Sequence, residues 1–181
     1  QGVSSAASDV YKRQVSERLA TLYRLSDLTR GILIVPISTL MHRLCPKEYL
    51  LKNTVWLEEG QALHLTDMQR RLIQAGHHMV PQVTAHGEFA VRGSLLDLFP
   101  MGADNPFRID LFDNEIDSIR TFEVETQRSL EKIREIRLLP AREFPMDPDS
   151  ITSFRTSFRA TFEGNPTQCP LYLDVSEGNI S

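Results

Sequence analysis

Four side chains near the middle of the chain have the chemistry to bind a metal ion: His77, His78, His86 and Glu88. A helical metal site of the HExxH type needs two histidines one turn apart, and these residues lack that spacing. On a strand, the neighbouring His77 and His78 point to opposite faces, which leaves His86 and Glu88 as two ligands on one face. Two ligands do not make a site, so the sequence disfavours a metal. A metal-dependent enzyme that uses these four residues stays as a second alternative, which metal analysis would test.

Other catalytic patterns are weaker still. Asp113, Glu115 and Asp117 lie in a turn-rich, hydrated stretch without the apolar pocket that general acid catalysis uses. The sequence contains neither a GxSxG nucleophile motif nor a GxxxxGK[ST] phosphate loop. We therefore predict no catalytic, metal-binding or cofactor-binding residue in this chain, and no enzymatic activity.

Three charged side chains are better candidates for binding a partner: Arg92, Arg108 and Asp110. Apolar and polar residues alternate around them, which is typical of strands with one buried and one exposed face, and all three fall on the exposed face. An arginine that loses water against a carboxylate forms a strong, directional contact, so this face suits a protein partner. The alternative is a solvated face with a cross-strand arginine–aspartate pair, which contributes little.

Two strand-like segments must position these residues. The first covers residues 86–99, with Gly93 interpreted as a bulge that re-aims the strand, and the second is Phe107–Phe112. The turn-forming residues 100–106 between them allow antiparallel pairing. The sequence therefore predicts a hairpin with one apolar buried face and one charged exposed face.

Upstream, the pattern predicts a short helix capped by Ser16 and then a strand at residues 32–35 that is apolar on both faces, as in a covered parallel sheet. A second short helix follows Ser38, before a break at Cys45-Pro46. Because one such strand cannot form a sheet alone, this segment is interpreted as the end of a larger α/β domain.

Downstream, a capping box of Thr66 and Gln69 predicts a helix that ends at Gly76. Its inward residues are predicted to be Leu65, Met68, Leu72 and Ile73. The remaining strands are predicted at residues 54–57, 80–84, 116–122 and 130–139, the last of which also has helical spacing. One helix on an antiparallel sheet makes a small α+β domain.

After a proline-marked break at residues 140–148, Asp147-Pro148 opens a predicted helix. Its apolar stripe, assigned to the core, is Ile151, Phe154, Phe158 and Phe162. Gly164 ends the helix, and the residues beyond it are predicted to be loop.

Composition limits the function classes. A net charge of −4 and an isoelectric point near 5.7 argue against a nucleic-acid-binding module. No apolar run approaches the roughly 18 residues that a membrane span requires. Cys45 and Cys169 are isolated in sequence and are expected to be reduced thiols.

Three motifs lie along and just after the predicted hairpin: Gly87-x-Phe89-x-Val91-Arg92-Gly93, Asp97-x-Phe99-Pro100 and Arg108-x-Asp110-x-Phe112-x-x-Glu115-Ile116. Together they resemble a domain that the excinuclease subunit UvrB shares with the transcription-repair coupling factors (Mfd). The resemblance covers roughly residues 15 to 181. Three short segments, at residues 31–36, 39–41 and 97–102, are similar to Mfd in particular. UvrB-type proteins carry a phosphate loop upstream, whereas Mfd lacks one there. A fragment of UvrB is the first alternative, and recovering such a loop upstream would establish it.

The resemblance implies a fold: a small antiparallel-sheet domain with one packed helix, inserted in a truncated parallel-sheet domain like that of UvrB. It assigns residues 15–48 to the end of an α/β domain 1a, residues 49–139 to the UvrA-binding domain 2, and residues 140–181 to the start of a truncated domain 1b. Residues 1–14 show no periodicity and are expected to be non-native or disordered. The chain is expected to be a fragment, cut at both ends.

The resemblance also implies a function, recruitment of the damage-recognition subunit UvrA through Arg92, Arg108 and Asp110. Ala90 departs from the UvrB pattern, which has an arginine there. The parent protein would be a cytoplasmic, ATP-dependent DNA translocase that removes stalled RNA polymerase from double-stranded DNA and directs nucleotide excision repair. Its ATP and magnesium would bind in a downstream motor, so no cofactor is expected in this chain.

Overall fold

The computed structural model describes residues 5–179, with side chains from Val10 onward. The chain divides into two compact units, Gln1–Glu143 and Phe144–Ser181. The division falls within the proline-marked break at residues 140–148. Residues 15–48 and 49–139, which the resemblance assigns to different domains, lie in the same unit, and that assignment stays a prediction.

The first unit contains most of the regular structure. Its helices are α1 (Ser5–Leu25), α2 (Ile37–Leu40), α3 (Lys47–Asn53) and α4 (Leu65–Gln74). Its strands are β1 (Val55–Glu58), β2 (His78–Met79), β3 (Glu88–Arg92), β4 (Leu95–Phe99), β5 (Phe107–Phe112), β6 (Glu115–Phe122), β7 (Ser129–Ile133) and β8 (Glu135–Leu138). Strands β2 to β7 form one sheet in chain order, antiparallel except for β2 beside β3, and β1 pairs with β8. The predicted α+β class and the strands at the end of this unit are confirmed.

The main core lies between α4 and the apolar side of the large sheet. Met68 and Leu72 of α4 are buried against Phe89, Ile109 and other strand residues. Each such side chain stabilises the fold by about 1.5–3 kcal/mol relative to exposure. The alternation in β3 and β5 therefore predicted the buried face correctly.

A second apolar cluster holds α1 in place. Val15 and Leu19 of α1 pack with Leu50 and Leu139, and the Ser16 hydroxyl accepts a hydrogen bond from the Gly102 N–H at 2.8 Å. Ser16 therefore lies inside α1 and does not cap it, so that prediction is wrong. Residues 5–14 continue the helix, because a helix nucleated by its docked half extends at little cost. Residues 1–4, also expected to be non-native or disordered, lie outside the described residues.

A cation between two aromatic rings joins the end of α1 to the β1–β8 pair. Trp56 and Arg137 are opposite each other on the outward side of this pair. The Arg137 Cζ lies 4.2 Å from the centre of the Tyr23 ring and 5.9 Å from that of the Trp56 ring. Trp56 is 53 % exposed, and cation–π contacts at such sites contribute about 0.5–1 kcal/mol each.

Residues 32–35 do not form the predicted buried strand. They have no regular secondary structure, and Ile32 and Ile34 are 92 % and 89 % exposed. A strand exists only beside another strand, and the described part of the chain offers this segment none. The short helix predicted after Ser38 is present as α2, but Pro36 is at its N-cap position and Ser38 lies inside the helix, so the predicted cap is wrong.

Two predictions around α4 are wrong. The helix begins at Leu65 with His64 as its N-cap, so Thr66 lies within the first turn and the capping box does not form. Ile73 is 53 % exposed, because the buried stripe follows Met68 and Leu72. Gly76 does end the helix, with a φ of +92° that an L-residue rarely adopts.

The strand predicted at residues 80–84 is also absent. The Glu88 carboxylate accepts hydrogen bonds from the backbone N–H groups of Thr84 and Ala85, at 2.8 and 2.9 Å. A side chain thus replaces a neighbouring strand as the partner of this backbone, and residues 81–87 form bends and a turn. The helix α3 was not predicted.

The second unit is helical, with α5 (Pro148–Thr161), a 3-10 turn (Pro166–Gln168) and α6 (Pro170–Glu177). Asp147 accepts a hydrogen bond from the Ser150 N–H at 3.1 Å, which confirms the predicted start of α5. Phe158 of α5 packs on Tyr172 of α6 with ring centres 5.1 Å apart. The apolar stripe assigned to the core is only partly buried: no residue of α5 is fully buried, and Phe162 is 58 % exposed because it follows the last helical turn. The predicted C-terminal loop is wrong, since α6 lies there.

No helix in the described part of the chain combines the length and apolar character that crossing a membrane requires.

Candidate functional site

The register of three strands places the predicted partner-binding residues on one side of the sheet. Arg92 of β3 lies opposite Leu95 of β4, which lies opposite Asp110 of β5. Ala90, Asp97 and Arg108 form the neighbouring row. Residues two apart along a strand share a face, so Arg92, Asp97, Arg108 and Asp110 lie together. We call these four residues the arginine face.

Gly93 has a different role from the one predicted. It is no bulge within a long strand, because β3 and β4 are separate strands that pair with each other on either side of Gly93 and Ser94. Gly93 has a φ of +62°, and the conformation that this turn requires is one that glycine adopts without strain.

A buried carboxylate that sequence reasoning missed organises the arginine face. The side chain of Asp97 is 1 % exposed. Arg108 donates to both of its oxygens, from Nε at 2.7 Å and from Nη2 at 2.9 Å. Arg92 donates from Nη2 at 2.5 Å. The signal was available: a single aspartate inside the apolar run of β4 needs a cationic partner if it is buried.

Arg108 is held from several directions. Besides Asp97, its Nη1 donates to the backbone oxygen of Gln127 at 3.1 Å, and its Cζ lies 4.8 Å from the centre of the Phe122 ring. The hydrogen bond to Asp97 raises the pKa of the Arg108 guanidinium above its usual value. Its side chain is 18 % exposed. Arg108 therefore presents a fixed positive charge.

The side chains of Arg92 and Asp110 are held by fewer contacts than that of Arg108. The Arg92 side chain is 49 % exposed, with its one ion pair in the described residues made to Asp97. Asp110 accepts a long contact of 3.5 Å from the Ser94 hydroxyl. The cross-strand pair expected in the alternative interpretation does form, but its carboxylate is Asp97 in place of Asp110.

An exposed aromatic residue lies at the end of the same strand. Phe112 is 75 % exposed beside the buried Leu111, after a register shift between Asp110 and Leu111. Sequence reasoning placed it at the end of an alternating run and did not single it out. Exposed aromatic and arginine side chains are the types enriched where protein partners bind.

The four candidate metal ligands are not brought together. His77 is buried, and burial lowers its pKa to about 4. His86 bonds through Nε2 to the Ala103 oxygen at 2.8 Å, and Glu88 bonds to backbone N–H groups. His78 lies opposite Glu88 in the β2–β3 ladder. Within residues 5–179, no three histidine, cysteine, aspartate or glutamate side chains are placed to hold a metal.

Comparison with known proteins gives consistent matches. Residues 55–144 match the model of the UvrB interaction domain. The chain is 51 % identical over 168 residues to the transcription-repair-coupling factor of Haemophilus influenzae, and 48 % identical over 166 residues to that of Escherichia coli. Both matches cover 92 % of this chain. The factor of Bacillus subtilis is 33 % identical over 134 residues, or 74 % of the chain. The aligned residues span only 11–15 % of these relatives.

Proposed function

Since the chain belongs to the transcription-repair-coupling factor family, as a segment that carries a UvrB interaction domain, we propose that its arginine face recruits UvrA. The observation that supports this most directly is the pair of guanidinium groups that share the buried carboxylate of Asp97. They stand on a rigid sheet, which is the kind of support that a specific binding surface needs.

The exposed guanidinium of the face favours an acidic group on the partner. The two arginines and the two aspartates, Asp97 and Asp110, balance in charge, but Asp97 is buried and already accepts hydrogen bonds from both guanidinium groups. Arg92, half exposed, keeps donor groups that a carboxylate on UvrA can accept. Phe112 adds exposed apolar surface close in sequence to Asp110. Exposed arginine and aromatic side chains are among the types that contribute most to protein interfaces.

The proposal extends to the parent protein. There, this segment would supply recruitment alone, within a cytoplasmic ATP-dependent DNA translocase that removes stalled RNA polymerase from double-stranded DNA. ATP and magnesium would act in the motor, outside this chain. The rival proposal, a fragment of UvrB, is disfavoured because the curated relatives reported above are transcription-repair-coupling factors.

Titration of UvrA with Arg92→Ala tests the proposal. The truncation removes one donor group and leaves Arg108 to neutralise Asp97, so the fold should persist. Truncating one partner of a desolvated charge pair weakens binding by about 2–5 kcal/mol. Arg92→Glu should weaken it further, because it places a negative charge where the partner's carboxylate docks.

Arg70→Ala is the matched control. Arg70 is also an exposed arginine with one aspartate neighbour, Asp67 at 3.3 Å, but it lies on α4. Its truncation should change the affinity by less than about 1 kcal/mol. Melting curves of all variants accompany the titration. If Arg92→Ala and Arg92→Glu bind UvrA as tightly as the unmutated chain does, the arginine face is only solvated surface.

A further inference from the structure

The two arginines of the arginine face have different degrees of freedom. Arg108 is fixed by Asp97, by the Gln127 carbonyl and by the Phe122 ring. Arg92 is 49 % exposed, and the contact of its guanidinium in the described residues is the hydrogen bond to Asp97 Oδ2 at 2.5 Å. The direction of the Arg92 guanidinium therefore depends on Asp97.

Asp97 is itself held in place. It lies in β4 between the paired strands β3 and β5, and its two oxygens accept three hydrogen bonds. A carboxylate that is 1 % exposed is tolerated only when it is paired in this way. Its position is thus set by the sheet and by Arg108, before any partner arrives.

We propose that Asp97 is a positioning residue of the arginine face, which holds the Arg92 guanidinium in the direction in which a carboxylate of the partner meets it. The inference rests on the proposed recruitment of UvrA. A long arginine side chain loses rotamer freedom when it binds, and a side chain that is already held loses less. Asp97 thereby increases affinity without touching the partner.

The sign of one effect separates positioning from simple charge. Asp97→Asn removes a negative charge from the face, so long-range attraction alone would make an acidic partner bind more tightly. Positioning predicts the reverse, because an amide oxygen holds a guanidinium more weakly than a carboxylate does. We expect Asp97→Asn to weaken UvrA binding about tenfold.

A double-mutant cycle identifies the route of the effect. If Asp97 acts through Arg92, then Asp97→Asn should weaken binding less in the Arg92→Ala variant than in the unmutated chain. The two losses of affinity should differ by at least about threefold. Equal losses in the two backgrounds would overturn the inference, as would unchanged or tighter binding of Asp97→Asn alone. In both cases the unmutated chain still binds UvrA, so the proposed recruitment stands. If the unmutated chain does not bind UvrA, the proposed function is refuted, and the inference with it.

A measurement on the unmutated chain alone tests the inference if Asp97→Asn does not fold. The Nε–Hε resonances of arginine side chains report nanosecond motion in solution. Arg92 should be restricted in spite of its exposure, in contrast to Arg70, whose side chain is 65 % exposed. Motion of Arg92 as free as that of Arg70 would overturn the inference.

Discussion

At the scale of single residues, His77 couples the fold to pH. Its ring is buried, and desolvation lowers its pKa from 6.5 to about 4. Well above pH 6.5 the ring is neutral in both the folded and the unfolded chain, so it contributes no pH dependence there. Between pH 6.5 and about 4, the unfolded chain binds a proton that the folded chain excludes, and the folded state loses stability.

We therefore expect His77 to lower the free energy of unfolding by about 3 kcal/mol as the pH is lowered through this window. Denaturant titrations between pH 7 and pH 4 measure it. His77→Phe removes the titrating ring and should flatten this part of the curve, whereas His42→Gln, at an exposed position, is the control. Equal slopes for His77→Phe and the parent would contradict the expectation.

The arginine face shows how far residue patterns reach. Alternation along β3 and β5 was enough to place Arg92, Arg108 and Asp110 on one side of the sheet. Asp97 was missed because it stands in an apolar run, where alternation gives no signal. Its partners depend on the register that sets Asp97 opposite Arg108, and a register across strands is a property of the folded chain.

At the scale of elements, residues 32–35 show that a propensity for extended structure is not enough to form a strand. Four consecutive apolar residues favour extended structure, but Ile32 and Ile34 are almost fully exposed and no strand lies beside them in the described chain. Their backbone N–H groups therefore lack the sheet hydrogen bonds that slow exchange with water.

We expect the amides of residues 32–35 to exchange with solvent far faster than those of β5, which lies between two paired strands. Hydrogen exchange followed by mass spectrometry or NMR measures the difference. The amides of β6, also paired on both sides, serve as the protected reference. Protection of residues 32–35 equal to that of β5 would contradict the expectation.

Other elements were predictable to the extent that their signals are local. The β4–β5 hairpin, the Gly76 end of α4 and the Asp147 start of α5 each depend on neighbouring residues. The absent strand at residues 80–84 depends on side chains that bond to its backbone, from the nearby Glu88 and the distant Gln127, and the unpredicted α6 depends on packing against α5. Tertiary contacts override local preference at such places.

At the scale of the whole molecule, the chain should be free of motor function. Its sequence has no GxxxxGK[ST] loop to surround a phosphate, and its net charge is −4. We expect isothermal titration with ATP and magnesium to give no saturable heat. A parallel titration with a nucleotide-binding ATPase confirms that the ligand is active. Micromolar binding of ATP would contradict the assignment of this segment to recruitment alone.

The family could be recognised from motifs that span the sheet, and the comparisons confirm it over 92 % of the chain. The division of the chain at Glu143 and Phe144 was also approached from sequence, since prolines mark that stretch. The docking of α1 within the first unit was not predictable, because α1 contacts residues more than eighty positions away, such as Gly102.

The stack of Tyr23, Arg137 and Trp56 has a consequence for spectroscopy. Trp56 is the single tryptophan of the chain, so the intrinsic fluorescence excited at the red edge comes from this site. The wavelength of its emission maximum therefore depends on whether the end of α1 is packed on the β1–β8 pair. Detachment of α1 would shift that wavelength while the large sheet stayed folded, so tryptophan fluorescence would detect this local unfolding separately from global unfolding.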